Sequence, residues 1–300
     1  MGERTAPTYG GQAVVEGVMM RGPNAVAVAV RRSDGVIVSY SEQLSGMFTS
    51  RLRAVPLIRG VAVLVESLTI GVRALGWASS VTEGDSDGHQ KPERLGLAGW
   101  IGLFFTLSAA SAAFFLGPVL ATFWLDDTLG SAWWSLLIES VLRLGVLISY
   151  VWLIGQSEEI QRIFQYHAAE HQTIHAYEQG LELSVPAVRR HPREHPRCGT
   201  SFLLTVAVVS ALVFIFVGTE PLWWRFGSRL LLIPLVAGIS YETIRFGGLH
   251  NRWPIVRGLF TANLLLQRLT TRAPDDEQIQ VAIEAFRQVQ TIESEANLNG

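Results

Sequence analysis

Residues Leu95 to Leu125 read LGLAGWIGLFFTLSAASAAFFLGPVLATFWL, a run of 31 positions without a charged side chain. Crossing the hydrocarbon core of a bilayer takes roughly 20 helical residues at about 1.5 Å each. A transmembrane helix is therefore expected near 98–122. Its small-residue stretch, Ser108-Ala109-Ala110-Ser111-Ala112-Ala113, permits close approach of a neighbouring helix. Reading onward, Ala132 to Gly155 is a second apolar segment, interrupted only by Glu139 and Arg143. These two are four apart and share a helical face, so an inward-turned ion pair holding the bundle is expected ahead of a substrate or proton path. Cys198 to Thr219 gives a third uncharged stretch, of 22 positions. The fourth and weakest has 12 uncharged positions between Arg229 and Glu242, and would let Arg229 snorkel.

The composition agrees. Hydrophobic residues make up 49% of the 300 positions and charged residues 17%, against about 25% in an ordinary soluble protein; mean hydropathy is +0.28. Disorder needs the opposite balance. One cysteine, Cys198, rules out an intrachain disulfide framework. A net charge of −2 supplies no basic field, so nucleic acid is not an expected partner and the lipid bilayer is. The first 20 residues show no basic region followed by an apolar core, so no signal peptide is expected. Of the 24 Lys and Arg, 21 fall in residues 1–94, 156–197 and 242–300, while Arg225 alone falls in the two short connections between. That asymmetry places both termini and the 156–197 segment in the cytoplasm.

The soluble parts flank and interrupt these spans. Residues 1–94 form an N-terminal cytoplasmic region. Within it, 25–42 alternate in period two around Asp34-Gly35, a β-hairpin signal. The preceding stretch, Gly10 to Pro23, carries four glycines that permit tight turns or close backbone approach; it matches neither a P-loop nor a dinucleotide fingerprint. Residues 55–77 carry Arg59, Glu66 and Arg73 at seven-residue spacing, which reads as an amphipathic helix on the interface or the bundle. Residues 79–94 read as a linker. A four-helix transmembrane region over 95–245 contains the insert 156–197, and 246–300 form a C-terminal helical region. There Pro274-Asp275-Asp276-Glu277 opens a helix with Ile279, Ala282, Ile283 and Phe286 on one stripe. The fold class expected is a mainly α polytopic membrane protein of about four transmembrane helices, with a small N-terminal cytoplasmic region containing a β-hairpin.

Five of the seven histidines fall between 167 and 195. In the segment Tyr166 to Glu178, at about 100° per residue, His167, His171, His175, Glu170 and Glu178 occupy an arc of roughly 140°. Histidines at i and i+4 can bind one ion from one helix face, and His-x-x-Glu-His is also the zinc signature of the inverted zinc proteases. Further ligands must come from elsewhere. His195 and Cys198, three apart on a turn at the mouth of the third span, are the nearest, and Glu242 at the end of the fourth is another. The metal-site candidates are thus His167, His171, His175, His195, Cys198 and Glu242, with a divalent ion, Zn²⁺ foremost. Glu170 is the candidate general base. The alternatives are a solvated histidine face and, for Cys198, a buried small hydrophobe or a nucleophile.

Four ordered segments carry a resemblance: Gly11 to Arg21, Tyr166 to His171, His195 to Phe202, and Leu269-Thr270-Thr271 with Pro274. Together they resemble the YqhQ family, bacterial and plastid membrane proteins of unknown function described as predicted metal-dependent enzymes. The resemblance covers essentially the whole chain and implies a multi-pass bacterial plasma-membrane protein with a metal site. It implies no particular reaction. Two departures from the family's pattern are visible: Ala168 stands for a usual Gly, and Ala262-Asn263-Leu264 for Pro-Gly-Leu.

These residues support three classes of function. The leading expectation is a metal-dependent membrane enzyme, hydrolytic, acting on a lipid-linked molecule or a membrane-protein segment at the cytoplasmic surface. The second is a membrane assembly or scaffold factor whose metal is structural. The third, a transporter, has only Glu139, Arg143 and Arg229 to line a path.

Overall fold

The computed structural model describes residues 9–44, 55–84, 88, 96–124, 132–196, 198–250 and 253–298. The chain is mainly helical, with one small antiparallel sheet at its N-terminus. Four strands, β1 (Gly10–Val14), β2 (Gly17–Arg21), β3 (Ala25–Arg31) and β4 (Ile37–Gln43), pair in sequence order. The expected hairpin is β3–β4, closed from Arg31↔Ile37, with Gly35 at φ 84 in the turn. The first two strands come from the glycine stretch read only for turns and close approach. Gly10, Gly11 and Gly17 lower the strand signal there. Gly17 lies so close to β3 that a Cβ would clash with the Ala29 carbonyl oxygen.

The period-two pattern of β3 decides the layering. Ala25, Ala27 and Ala29 point to one face and Val26, Val28 and Val30 to the other, and all six are fully buried. The valine face packs on α1 (Ile58–Thr82) through Ile70, Ala74, Trp77, Ala78 and Val81. The alanine face takes α10 (Asp276–Leu298) through Ile279, Ala282, Ile283 and Phe286, together with α4 (Glu158–Glu178) through Tyr166 and Ala169. Small side chains on that face let two helices approach. The start of α10 is fixed by a reciprocal cap: Asp275 accepts from the Gln278 N–H at 2.7 Å, and the Gln278 side chain accepts from the Asp275 N–H at 3.0 Å. One core therefore joins the N-terminal sheet, the histidine helix and the C-terminal helix, and all three lie on the same side of any membrane the chain spans.

The apolar segments form α2 (Leu97–Phe123), α3 (Ala132–Ile154), α6 (Ser201–Val217), α7 (Leu222–Leu231) and α8 (Ile233–Leu249); the short α5 (Val185–Val188) and α9 (Pro254–Thr270) complete the fold. Helix α3 packs between α2 and α6, and α6 packs on α8. Among the described residues, three helices, α1, α2 and α3, are long and apolar enough to cross a membrane, or four with α7 and α8 taken as one span bent by 48°. Helix α6 is apolar but shorter, at 17 residues. Pro234, in the first turn of α8, accounts for the break after α7. Phe104, Phe105, Trp133, Trp152 and Phe216 stay exposed on the bundle, as lipid-facing residues would. The second half of α1 is committed to the sheet, while its N-terminal end meets α8, where Gly60 approaches Tyr241. The helix also runs beyond 77 to Thr82, into the segment read as linker; most of the rest of that linker lies outside the described residues.

The expected Glu139–Arg143 pair is present at 2.8 Å, buried in the bundle. It is joined by Arg229, whose guanidinium lies 3.3 Å from each Glu139 oxygen and also donates to the Gly218 carbonyl at 3.0 Å. Arg229 is fully buried and does not snorkel. Both guanidinium groups stack over Phe214, at 5.2 and 4.8 Å from the ring centroid.

Candidate metal centre

Helix α4 opens with Ser157 before Glu158 and Glu159, acids that suit its N-terminal dipole. Its histidine face is then covered by the chain that folds back after α5. The turn at His195, closed by Cys198 N–H to the His195 carbonyl at 3.2 Å, leads directly into α6. Gln267 of α9 fixes this turn. It accepts from the His195 N–H at 2.7 Å and donates to the His195 carbonyl at 2.9 Å and the Ser201 hydroxyl at 3.0 Å.

His167, His171 and Cys198 are brought together and buried, with one donor atom from each lying within 4.8 Å of the others. His167 Nδ1 bonds the Thr270 carbonyl at 2.9 Å, and His171 Nδ1 bonds the Arg193 carbonyl at 2.5 Å. A ring nitrogen facing a carbonyl must carry the proton, so both imidazoles turn Nε2 inward as an acceptor. His167 Nε2 is 3.1 Å from the Cys198 sulfur. His171 Nε2 is buried and has no hydrogen-bond partner among the described residues. A buried imidazole oriented by a backbone carbonyl and left with an unsatisfied lone pair is the arrangement of a metal ligand. Two imidazoles and a thiol are a donor set suited to Zn²⁺, so the residues present fit such an ion.

Burial and the neighbouring imidazoles hold His171 well below the usual histidine range, which keeps it neutral. Burial alone takes His195 down to about 4. The Cys198 thiol is pushed up by burial, although the Thr200 hydroxyl at 3.1 Å opposes that. A coordinated cation would reverse the effect on the thiol. Glu170 sits beside this group, its carboxylate 3.9 Å from His171 Nε2. Burial pushes it up to about 8, against the nearby His167 and the Gly11 N–H. A carboxyl in that range exchanges a proton near neutral pH. Gly11 is where β1 passes over it: a Cβ there would lie 2.8 Å from Glu170 Cγ and 2.6 Å from the Met19 carbonyl oxygen. The close backbone approach that the glycine stretch suggested is made at this position.

His175 and His195 are grouped with Glu178 instead, in a second triad. Glu242 enters neither. Its carboxylate is held by Arg59 of α1 through two guanidinium nitrogens, one at 2.6 Å, and accepts from the Leu57 N–H. A charge partner on another helix has claimed the residue that sequence position alone offered as a ligand. Sequence patterning did not single out Gln267 or the Thr270 carbonyl. Thr270 does stand in one of the four segments that carry the family resemblance, but a backbone carbonyl has no sequence signature.

Residues 55–292 match a family described as "Protein of unknown function (DUF1385)". The "Uncharacterized protein YqhQ" of Bacillus subtilis (strain 168) is 33% identical over 308 residues, covering 99% of this chain and 96% of that relative. The chain belongs to the YqhQ family. No solved structure matches it. In this YqhQ-family chain the four segments that carried the resemblance converge on one place. Gly11 approaches Glu170, α4 supplies His167 and His171, the turn supplies Cys198, and Thr270 orients His167. Ala168, standing for the usual Gly, is fully buried in the same helix.

Proposed function

We propose that this protein is a metal-dependent hydrolase of the bacterial plasma membrane, with both termini and the metal centre on the cytoplasmic side. The observation that carries the reading is the buried His171 Nε2, without a hydrogen-bond partner among the described residues, beside His167 and Cys198. These three residues would hold a Zn²⁺-like ion, and their carbonyl partners fix the ring orientations in advance. The ion would supply Lewis acidity and make an attacking water more acidic. Glu170 serves as the general base, its proton affinity raised by burial under β1. The orientation rests on the Lys/Arg asymmetry and on the shared core of sheet, α4 and α10.

The centre lies where the turn of Cys198 enters apolar α6, and α9 beside it exposes Ile255 and Leu265. A lipid-linked molecule or a membrane-protein segment suits that position. The burial of His167, His171 and Cys198 favours a second reading, an assembly factor with a structural ion. Glu170→Gln separates the two. For an enzyme, the variant retains its metal by elemental analysis and fails to complement a deletion strain, because an amide cannot accept the proton. For a structural centre, it complements. Purified protein without bound transition metal would reject both readings.

A further inference from the structure

Two groups on the same face of α4, and one that packs against it, are not used by that centre. His175 and Glu178, on the last turns of α4, meet His195 from the returning chain, with one donor atom from each within 4.8 Å of the others. We propose that these three residues hold a second metal ion, making the centre dinuclear. The proposal rests on the reading of α4 as metal-binding and adds a separate ion to it.

The spacing fits. Tetrahedral zinc with bonds of about 2.0–2.2 Å to nitrogen and oxygen separates its donors by roughly 3.3–3.6 Å. His195 Nε2 and Glu178 Oε2 are 3.4 Å apart. The tautomers divide the face into two sites. His167 and His171 give their Nδ1 to backbone carbonyls and present Nε2, whereas His175 gives its Nε2 to the Glu194 carbonyl at 2.9 Å and carries its lone pair on Nδ1. The His195 ring lies between the triads, 4.6 Å by centroids from His175 and 5.8 Å from His171. A single tetrahedral ion cannot use six donors. Two adjacent ions can, each keeping an open position.

The donor sets also differ in kind. The first has a buried sulfur. The second has a carboxylate that is one-third exposed and no sulfur. The thiol-containing site is softer and better enclosed, and the second is harder and more readily exchanged.

Metal content of the full chain in detergent tests this, after zinc loading and desalting. The native protein is expected to hold two equivalents, Glu178→Ala one, Cys198→Ala one, and the double variant none. With Co²⁺ in place of zinc, sulfur-to-cobalt absorbance should saturate at the first equivalent while ligand-field absorbance rises through the second. One equivalent that survives Glu178→Ala and is lost in Cys198→Ala would overturn the second ion and leave the proposed function standing. One equivalent lost in either single variant would mean one shared site, with the same consequence. No bound metal would overturn both. Glu178 is partly exposed, so its variant tests binding without emptying the core.

Discussion

The Nε2 of His167 stands 3.1 Å from the sulfur of Cys198, although 31 residues separate them in the chain. The contact exists because α4 and the turn before α6 are locked together at Gln267 and Thr270 of α9. The candidate donor set on α4 thus depends on a helix that supplies no candidate ligand.

That dependence is measurable. Gln267→Leu removes one acceptor and the shared donor; it strands the buried His195 N–H and leaves the His195 carbonyl with the Cys198 N–H alone. A stranded buried group costs about 1–3 kcal/mol. The expected outcome is a lower melting temperature and weaker metal retention during chelator dialysis. Retention equal to the native protein would show that the turn is held by other contacts.

Gly11→Ala tests the passage of β1 over Glu170. A methyl group there meets backbone oxygen at 2.6 Å as well as Glu170, whereas at Gly10 it meets nothing within 4 Å. Gly11→Ala should abolish complementation or folding, and Gly10→Ala should be close to neutral. Equal behaviour of the two variants would remove the steric argument.

In the bundle, Glu139 is shared by Arg143 and Arg229. Glu139→Leu leaves two buried guanidinium groups without their carboxylate, and breaking a buried pair typically costs about 3–5 kcal/mol. Loss of folded protein from the membrane fraction is expected. Combining it with Arg143→Leu and Arg229→Leu should restore much of the yield, since an apolar replacement of all three leaves no stranded charge. A triple variant as poor as the single one would point to a role beyond stability.

Orientation is open to labelling. Cysteines introduced as Asp85→Cys and Ser294→Cys should be protected from an impermeant maleimide in intact cells, while Thr128→Cys should react. Native Cys198 is buried and gives little background. Reaction at 85 or 294 would reverse the assignment.

The fourth apolar stretch shows how far the pattern reaches. Its dozen uncharged residues stop at Arg229, and the structure continues through it as α7 in a helix pair broken near Pro234. Hydropathy saw the weakness but not its form, because an arginine satisfied by Glu139 and Gly218 reads in sequence like one reaching for water. Strands β1 and β2 were hidden for a related reason: their glycines are selected by contacts with β3 and Glu170, not by strand propensity.

By itself the sequence determined the features that local periodicity and covalent order dictate. The long apolar runs mark the bundle, the alternation of Ala and Val makes a strand buried on both faces, and the four-residue spacing puts His167, His171 and His175 on one side of a helix. Tertiary structure alone decided which donors meet. It divided those histidines between Cys198 and the Glu178–His195 pair, gave Glu242 to Arg59, and brought Thr270 and Gly11 to the centre. Donor grouping depends on distances of a few ångströms between elements far apart in the chain, and on which ring nitrogen a backbone carbonyl has already taken; neither quantity is periodic, so neither leaves a mark in the order of residues.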